Sequence, residues 1–106
     1  MWVAFEDFEL LSGKLKNWST TADDGSAKNC AFCPECGTRI YHAGDDPGEE
    51  ISLKAGSLDN ISQFNPVAHI WTKRAHRWLD LENRDTLNYP GQPDDYKLMV
   101  KAWTNR

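Results

Sequence analysis

Three cysteines fall within one short run, Cys30-Ala31-Phe32-Cys33-Pro34-Glu35-Cys36-Gly37, and the 106-residue chain contains no others. The Cys33-Pro34-Glu35-Cys36-Gly37 stretch has the form of a zinc knuckle. Its Cys-x-x-Cys spacing sets two thiolates on one side of a tight turn. Pro34 presets a turn-compatible φ, and Gly37 permits a left-handed residue that aims backbone N–H groups at sulfur. Structural zinc takes four protein ligands, and one knuckle supplies two. Cys30 is the nearest candidate third ligand. On an extended approach it lies three residues before Cys33 and projects to the opposite face, so a core position is its first reading and ligation its second. A second copy of the chain offers another route: a homodimer in which each partner contributes Cys33 and Cys36 to a four-thiolate Zn2+ site on a two-fold axis.

The other residues able to do chemistry are few. His42, His69 and His76 are the only histidines. His42 follows Cys36 closely enough for a returning strand to bring it to the metal, but a surface or hydrogen-bonded role is the plainer expectation, and a packed, hydrogen-bonded side chain is expected for His69. No Ser/His/Asp or Cys/His pairing is defined by spacing. Lys73, Arg74, His76 and Arg77 form a basic cluster flanked by Trp71 and Trp78. It could grip the carboxylates of a small peptide, but a solvated turn explains it as well. Gly56 and Asp59 make a turn; a phosphate-cradling loop would need more glycine and a following helix.

The elements that must position these residues read as short strands and turns. Trp2 to Phe5 begins as a strand, and Phe8 to Leu11 is an apolar run stopped by Ser12-Gly13. Leu15 to Trp18 is a short strand, and the polar Ser19–Lys28 stretch reads as a hairpin loop. Asn29–Phe32 enters the knuckle and Thr38–His42 leaves it. A turn-rich loop follows at Ala43–Glu49. Ile51, Leu53 and Ala55 alternate with Ser52 and Lys54, the period of a half-buried strand. Gly56–Asn60 is a turn, Val67–Thr72 a strand, and the chain after Asp85 is irregular. Tyr96, Met99, Val100 and Trp103 fall at helical spacing behind Asp94 or Asp95 as N-cap, which predicts a short amphipathic C-terminal helix. The fold class is mostly β, in one domain over residues 1–106.

Composition sets limits on function. Sixteen acids against twelve bases give a net charge of −4, which argues against the phosphate attraction that drives nucleic-acid binding. No nucleic-acid partner and no membrane partner are expected. The start of the chain, Met1-Trp2-Val3-Ala4-Phe5, lacks the basic leader of a signal peptide, and no segment approaches membrane-spanning length. A cytoplasmic protein is the expectation, and there clustered cysteines favour metal or redox chemistry over disulfides. Five tryptophans are many for this length, and most should lie in the core or line a cleft.

Four blocks in order carry a more specific resemblance. Phe8-Glu9-Leu10-Leu11-Ser12-Gly13-Lys14-Leu15-Lys16-Asn17-Trp18 is followed by Phe32-Cys33-Pro34-Glu35-Cys36-Gly37-Thr38-Arg39-Ile40-Tyr41. Lys54-Ala55-Gly56-Ser57-Leu58-Asp59 comes next, then His69-Ile70-Trp71-Thr72-Lys73-Arg74 with Trp78. Together, over roughly residues 2–90, they resemble the glutathione-dependent formaldehyde-activating enzyme family, which includes centromere protein V. The resemblance implies a β-tent fold of small twisted antiparallel sheets clasping zinc. It also implies carbon–sulfur lyase or S-(hydroxymethyl)glutathione chemistry, with a small-molecule thiol such as glutathione as partner. A complete member has a structural zinc on an early Cys-x-Cys plus a later Cys-x-x-Cys, and a catalytic zinc on a Cys-x-Cys-x-x-Cys trio. By position Cys33 and Cys36 match the later structural pair. The early pair and the trio have no counterpart in this sequence, which therefore resembles an N-terminally shortened member. The alternative function is a catalytically inactive, zinc-stabilised interaction or assembly module.

Overall fold

The computed structural model describes residues 1–45, 50–82 and 84–106. The chain forms two compact units, residues 1–61 and 62–106. The fold is mostly β, as expected, with one short C-terminal helix.

The first unit is a five-stranded antiparallel sheet. Its strands are β1 (Trp2–Ala4), β2 (Lys16–Thr21), β3 (Ala27–Phe32), β4 (Arg39–Ala43) and β5 (Glu50–Leu53), in the spatial order β1-β5-β4-β3-β2. The β2–β3 hairpin is longer than the polar composition of residues 19–28 suggests. Pairing runs from Lys16 opposite Phe32 to Thr21 opposite Ala27, leaving only residues 22–26 as the loop. Polar side chains are tolerated because β2 is an edge strand open to solvent, and Ser19 donates its hydroxyl to Asn29 Oδ1 across the pair. Asp24 Oδ1 accepts from Ser26 N at 2.9 Å, and Gly25 adopts φ 85°. Those are the side-chain acceptor and the left-handed residue that a tight hairpin requires. Of the loop expected at 43–49, residues 46–49 lie outside the described residues.

The knuckle is the turn of the next hairpin. Register shifts by one residue inside it: Ala31 lies opposite Tyr41, but Phe32 lies opposite Arg39. The extra residue on β4 is a bulge, which bends the strand and re-aims the side chains beside it.

Strand periodicity divides this sheet into two faces. One carries Ala31, Tyr41, Leu53, Ile51 and Val3, linked by register across four strands. A turn of 3-10 helix at Phe5–Asp7 takes the chain out of β1, and the rings of Phe5 and Phe8 meet Tyr41 edge-on at 6.4 and 5.1 Å. Ile51 is 1 % exposed and Ala31 fully buried. The other face carries one unbroken row, Trp18–Cys30–His42–Ser52–Trp2, each residue opposite the next.

In the second unit β6 (Ala68–His69) and β7 (Leu87–Asn88) form a parallel pair. The strand expected at Val67–Thr72 ends early because Trp71 takes a left-handed conformation, φ 58° and ψ 34°. A single turn of 3-10 helix then spans Thr72–Arg74. Trp71 is held there: its N–H donates to Gly91 O at 3.2 Å and its indole Nε1 to Gln92 Oε1 at 3.1 Å. β7 falls where the sequence reads as irregular. Helix α1 covers Lys97–Thr104; its N-cap is Tyr96 rather than Asp94 or Asp95, and Asp95 Oδ1, just before it, accepts from Lys97 N at 3.0 Å. Met99 is buried and Trp103 packs near Phe64, ring centroids 6.1 Å apart, whereas Val100 faces solvent.

The tryptophans meet the expectation only in part. Trp2, Trp18 and Trp78 are 40, 53 and 78 % exposed, while Trp71 and Trp103 are half-buried. Among the described residues no helix is long and apolar enough to cross a membrane.

Candidate metal centre

The turn between β3 and β4 is closed by two backbone hydrogen bonds, Cys33 N to Thr38 O and Gly37 N to Cys33 O, each 2.9 Å. Gly37 has φ 78°, the conformation expected of it. A Cβ built on Gly37 meets nothing within 4 Å, so only its backbone angle resists a larger residue. Gly37→Ala is therefore expected to cost about 1–2 kcal/mol, read as a lowered midpoint in urea.

All three thiols are free, with Cys30 buried, Cys33 half-buried and Cys36 exposed. Cys36 Sγ lies 3.2 Å from Thr38 Oγ1. Hydrogen bonds from the Thr38 hydroxyl, from the Thr38 backbone and from Cys33 hold the Cys36 thiol below its usual pKa. An anionic sulfur accepting hydrogen bonds is the form that ligates a metal. The structure thus brings Cys33 and Cys36 together at one bend. Cys30 lies on β3, fully buried, with Trp18 and His42 opposite it on the flanking strands. Among the described residues no group of three or more His, Cys, Asp or Glu side chains is arranged to hold a metal ion. The residues present fit zinc as a half-site of two sulfurs.

His42 has its own environment. Arg39 Nη1 donates to its Nε2 at 3.1 Å, which makes Nε2 the acceptor and leaves the ring proton on Nδ1. Burial, then the positive charges of Lys54, Lys28 and Arg39, push its pKa down to about 4. As pH falls from about 6.5, the unfolded chain takes up this proton before the folded one does. Stability contributed by neutral His42 is complete above about 6.5 and is lost as pH falls towards about 4. His42→Gln should flatten that slope, seen in urea midpoints measured across the window.

In the second unit His69 Nε2 is buried with no hydrogen-bond partner, as is Thr86 Oγ1. The hydrogen-bonded packing expected of His69 is therefore not made at Nε2. Lys73, Arg74, His76 and Arg77 are exposed. Lys73 and Arg74 lie over the Trp71 ring at 5.0 and 5.4 Å, and His76 stacks on Trp78 at 5.6 Å. Sequence reasoning passed over Lys28, Arg39 and Lys54. The signal for Lys28 was its place two residues before Cys30, hence on the same face of one strand. The bulge hid Arg39.

A small β protein with a cysteine turn closing its central hairpin is the class defined by this geometry. The family model for the glutathione-dependent formaldehyde-activating enzyme matches residues 1–74, and the chain belongs to that family. No curated protein and no solved structure matches it.

Proposed function

We propose that the chain is a zinc-binding member of this family, with Cys33 and Cys36 as the metal's protein ligands, serving carbon–sulfur lyase chemistry on S-(hydroxymethyl)glutathione. The observation that supports metal binding is the pairing of two free thiols on one hydrogen-bonded turn, with Cys36 biased towards the thiolate. Bound there, zinc would cross-link the turn, and soft sulfur donors suit it. The chain's own contribution is positional: Thr38 holds Cys36, and Gly37 sets the bend. Family membership supports the glutathione chemistry. The thiol-activating zinc of that chemistry would need cysteines beyond Cys30, Cys33 and Cys36, which are all the sequence contains. A cytoplasmic setting, where thiols stay reduced, is part of the same reading.

The two-sulfur half-site favours a second reading: a zinc-stabilised assembly module, catalytically inactive, in which two chains share the metal through Cys33 and Cys36 of each. Zinc content together with native mass tests both. One zinc per dimer supports the shared site. One zinc per monomer, with a glutathione–formaldehyde adduct formed and turned over in NMR spectra, supports the enzyme. Protein that purifies folded without metal and takes none up defeats both.

A further inference from the structure

The sheet face opposite the Tyr41 cluster gathers positive charge in an acidic chain. Cys30, His42 and Ser52 lie at the middle of its row, with exposed Trp18 and Trp2 at the ends. Lys16 and Lys28 share this face by strand parity, two residues from Trp18 and Cys30. Arg39 joins them through the bulge: its guanidinium lies 5.5 Å from the Trp18 ring centre and 3.1 Å from His42 Nε2. Lys54 follows β5, where its N–H donates to Ile40 O at 2.8 Å, fixing it beside the bulge. Among the described strand residues Glu50 is the acid of this face, at the far end of β5 opposite Ala4.

These cations repel one another. Burial and the charges of Lys28 and Arg39 lower the Lys54 pKa, with Cys30 acting the other way, and the charges felt by His42 are all positive. Like charges held together on a rigid sheet raise the energy of the free protein, and an incoming anion relieves that cost. The partly covered setting strengthens such contacts relative to open water, and Trp18 offers a flat apolar wall that also orients Arg39.

We propose that this face, through Arg39, Lys54 and Lys28, binds a small oxyanion, a carboxylate or phosphate group of a soluble ligand. The site is distinct from the Cys33–Cys36 turn: its cations lie on the sheet face, and metal at the turn would act on it only by holding the first unit folded. Arg39 supplies the planar two-pronged donor, and the lysines supply charge on either side of neutral His42.

Titration of the full zinc-loaded chain with inorganic phosphate and with succinate, at constant ionic strength, tests this. Amide and indole shifts of Trp18, Cys30 and His42 should saturate together, and Trp18 fluorescence should follow. Arg39→Gln and Lys54→Gln, checked for fold by circular dichroism, should each weaken binding about tenfold, while Arg77→Gln should leave it unchanged. Saturation by phosphate alone assigns a phosphate ester, and by succinate alone a carboxylate; either supports the site. Linear, non-saturating shifts, or equal weakening by Arg77→Gln, overturn it.

Discussion

With zinc held by Cys33 and Cys36 as proposed, a strong chelator, or replacement of either cysteine by serine, is expected to unfold the first unit. Metal bound by sulfur in small fingers is worth about 10–16 kcal/mol, against roughly 5–15 kcal/mol of net stability for a whole domain. The buried apolar set here is small: Cys30, Ala31 and Ile51 in the first unit and Pro93 and Met99 in the second, among the described residues. The knuckle closes the β3–β4 hairpin at the centre of the sheet, so freeing it loosens both strands that flank the core. Far-UV circular dichroism during a thermal melt, with and without a strong chelator, reads the effect. Cys30→Ala is the control, because a core cysteine can be truncated without loss of metal. If that variant too loses zinc, Cys30 is a ligand. A melt that chelator leaves unmoved would remove the metal from the account.

The second large effect is expected at Ile51. It is 1 % exposed, lies opposite Val3, and shares its face with Leu53 beside Tyr41. Ile51→Ala removes buried methylene groups where Val3 is held opposite by register, which limits how far the space can close. A loss of about 2–5 kcal/mol follows, read from urea unfolding. Leu11→Ala, at a residue 86 % exposed, should change stability by no more than about 0.5 kcal/mol.

What could be read from the residues alone followed the strength of the local signal. The knuckle was legible because cysteine, proline and glycine at those spacings constrain backbone and chemistry together. β5 was legible because Ile51 and Leu53 alternate with polar neighbours facing the opposite way. β2 extends past its sequence signal because Ser19, Thr20 and Thr21 look like loop residues, although an edge strand open to solvent has no need of apolar ones. β6 is shorter than its sequence signal because nothing in the alternation of Val67, His69 and Trp71 reveals that Trp71 turns left-handed. β7 is a two-residue ladder, too short to have a period. The C-terminal helix was placed correctly, but Val100 points outward while Met99 is buried, a choice set by tertiary packing. The cationic face stayed hidden because Lys28, Arg39 and Lys54 are scattered in the chain and meet only through strand register and a bulge.

The pairing of β1 with β5 also governs the order of events at the ribosome. Trp2 lies opposite Ser52, with the strands β2, β3 and β4 between them in the chain. β1 therefore emerges before its partner and must wait for it, for some seconds at about 5–20 residues per second. During that interval Trp2 and Val3 have no sheet to join, and this nascent apolar stretch stays open to any surface that takes up unpaired strands.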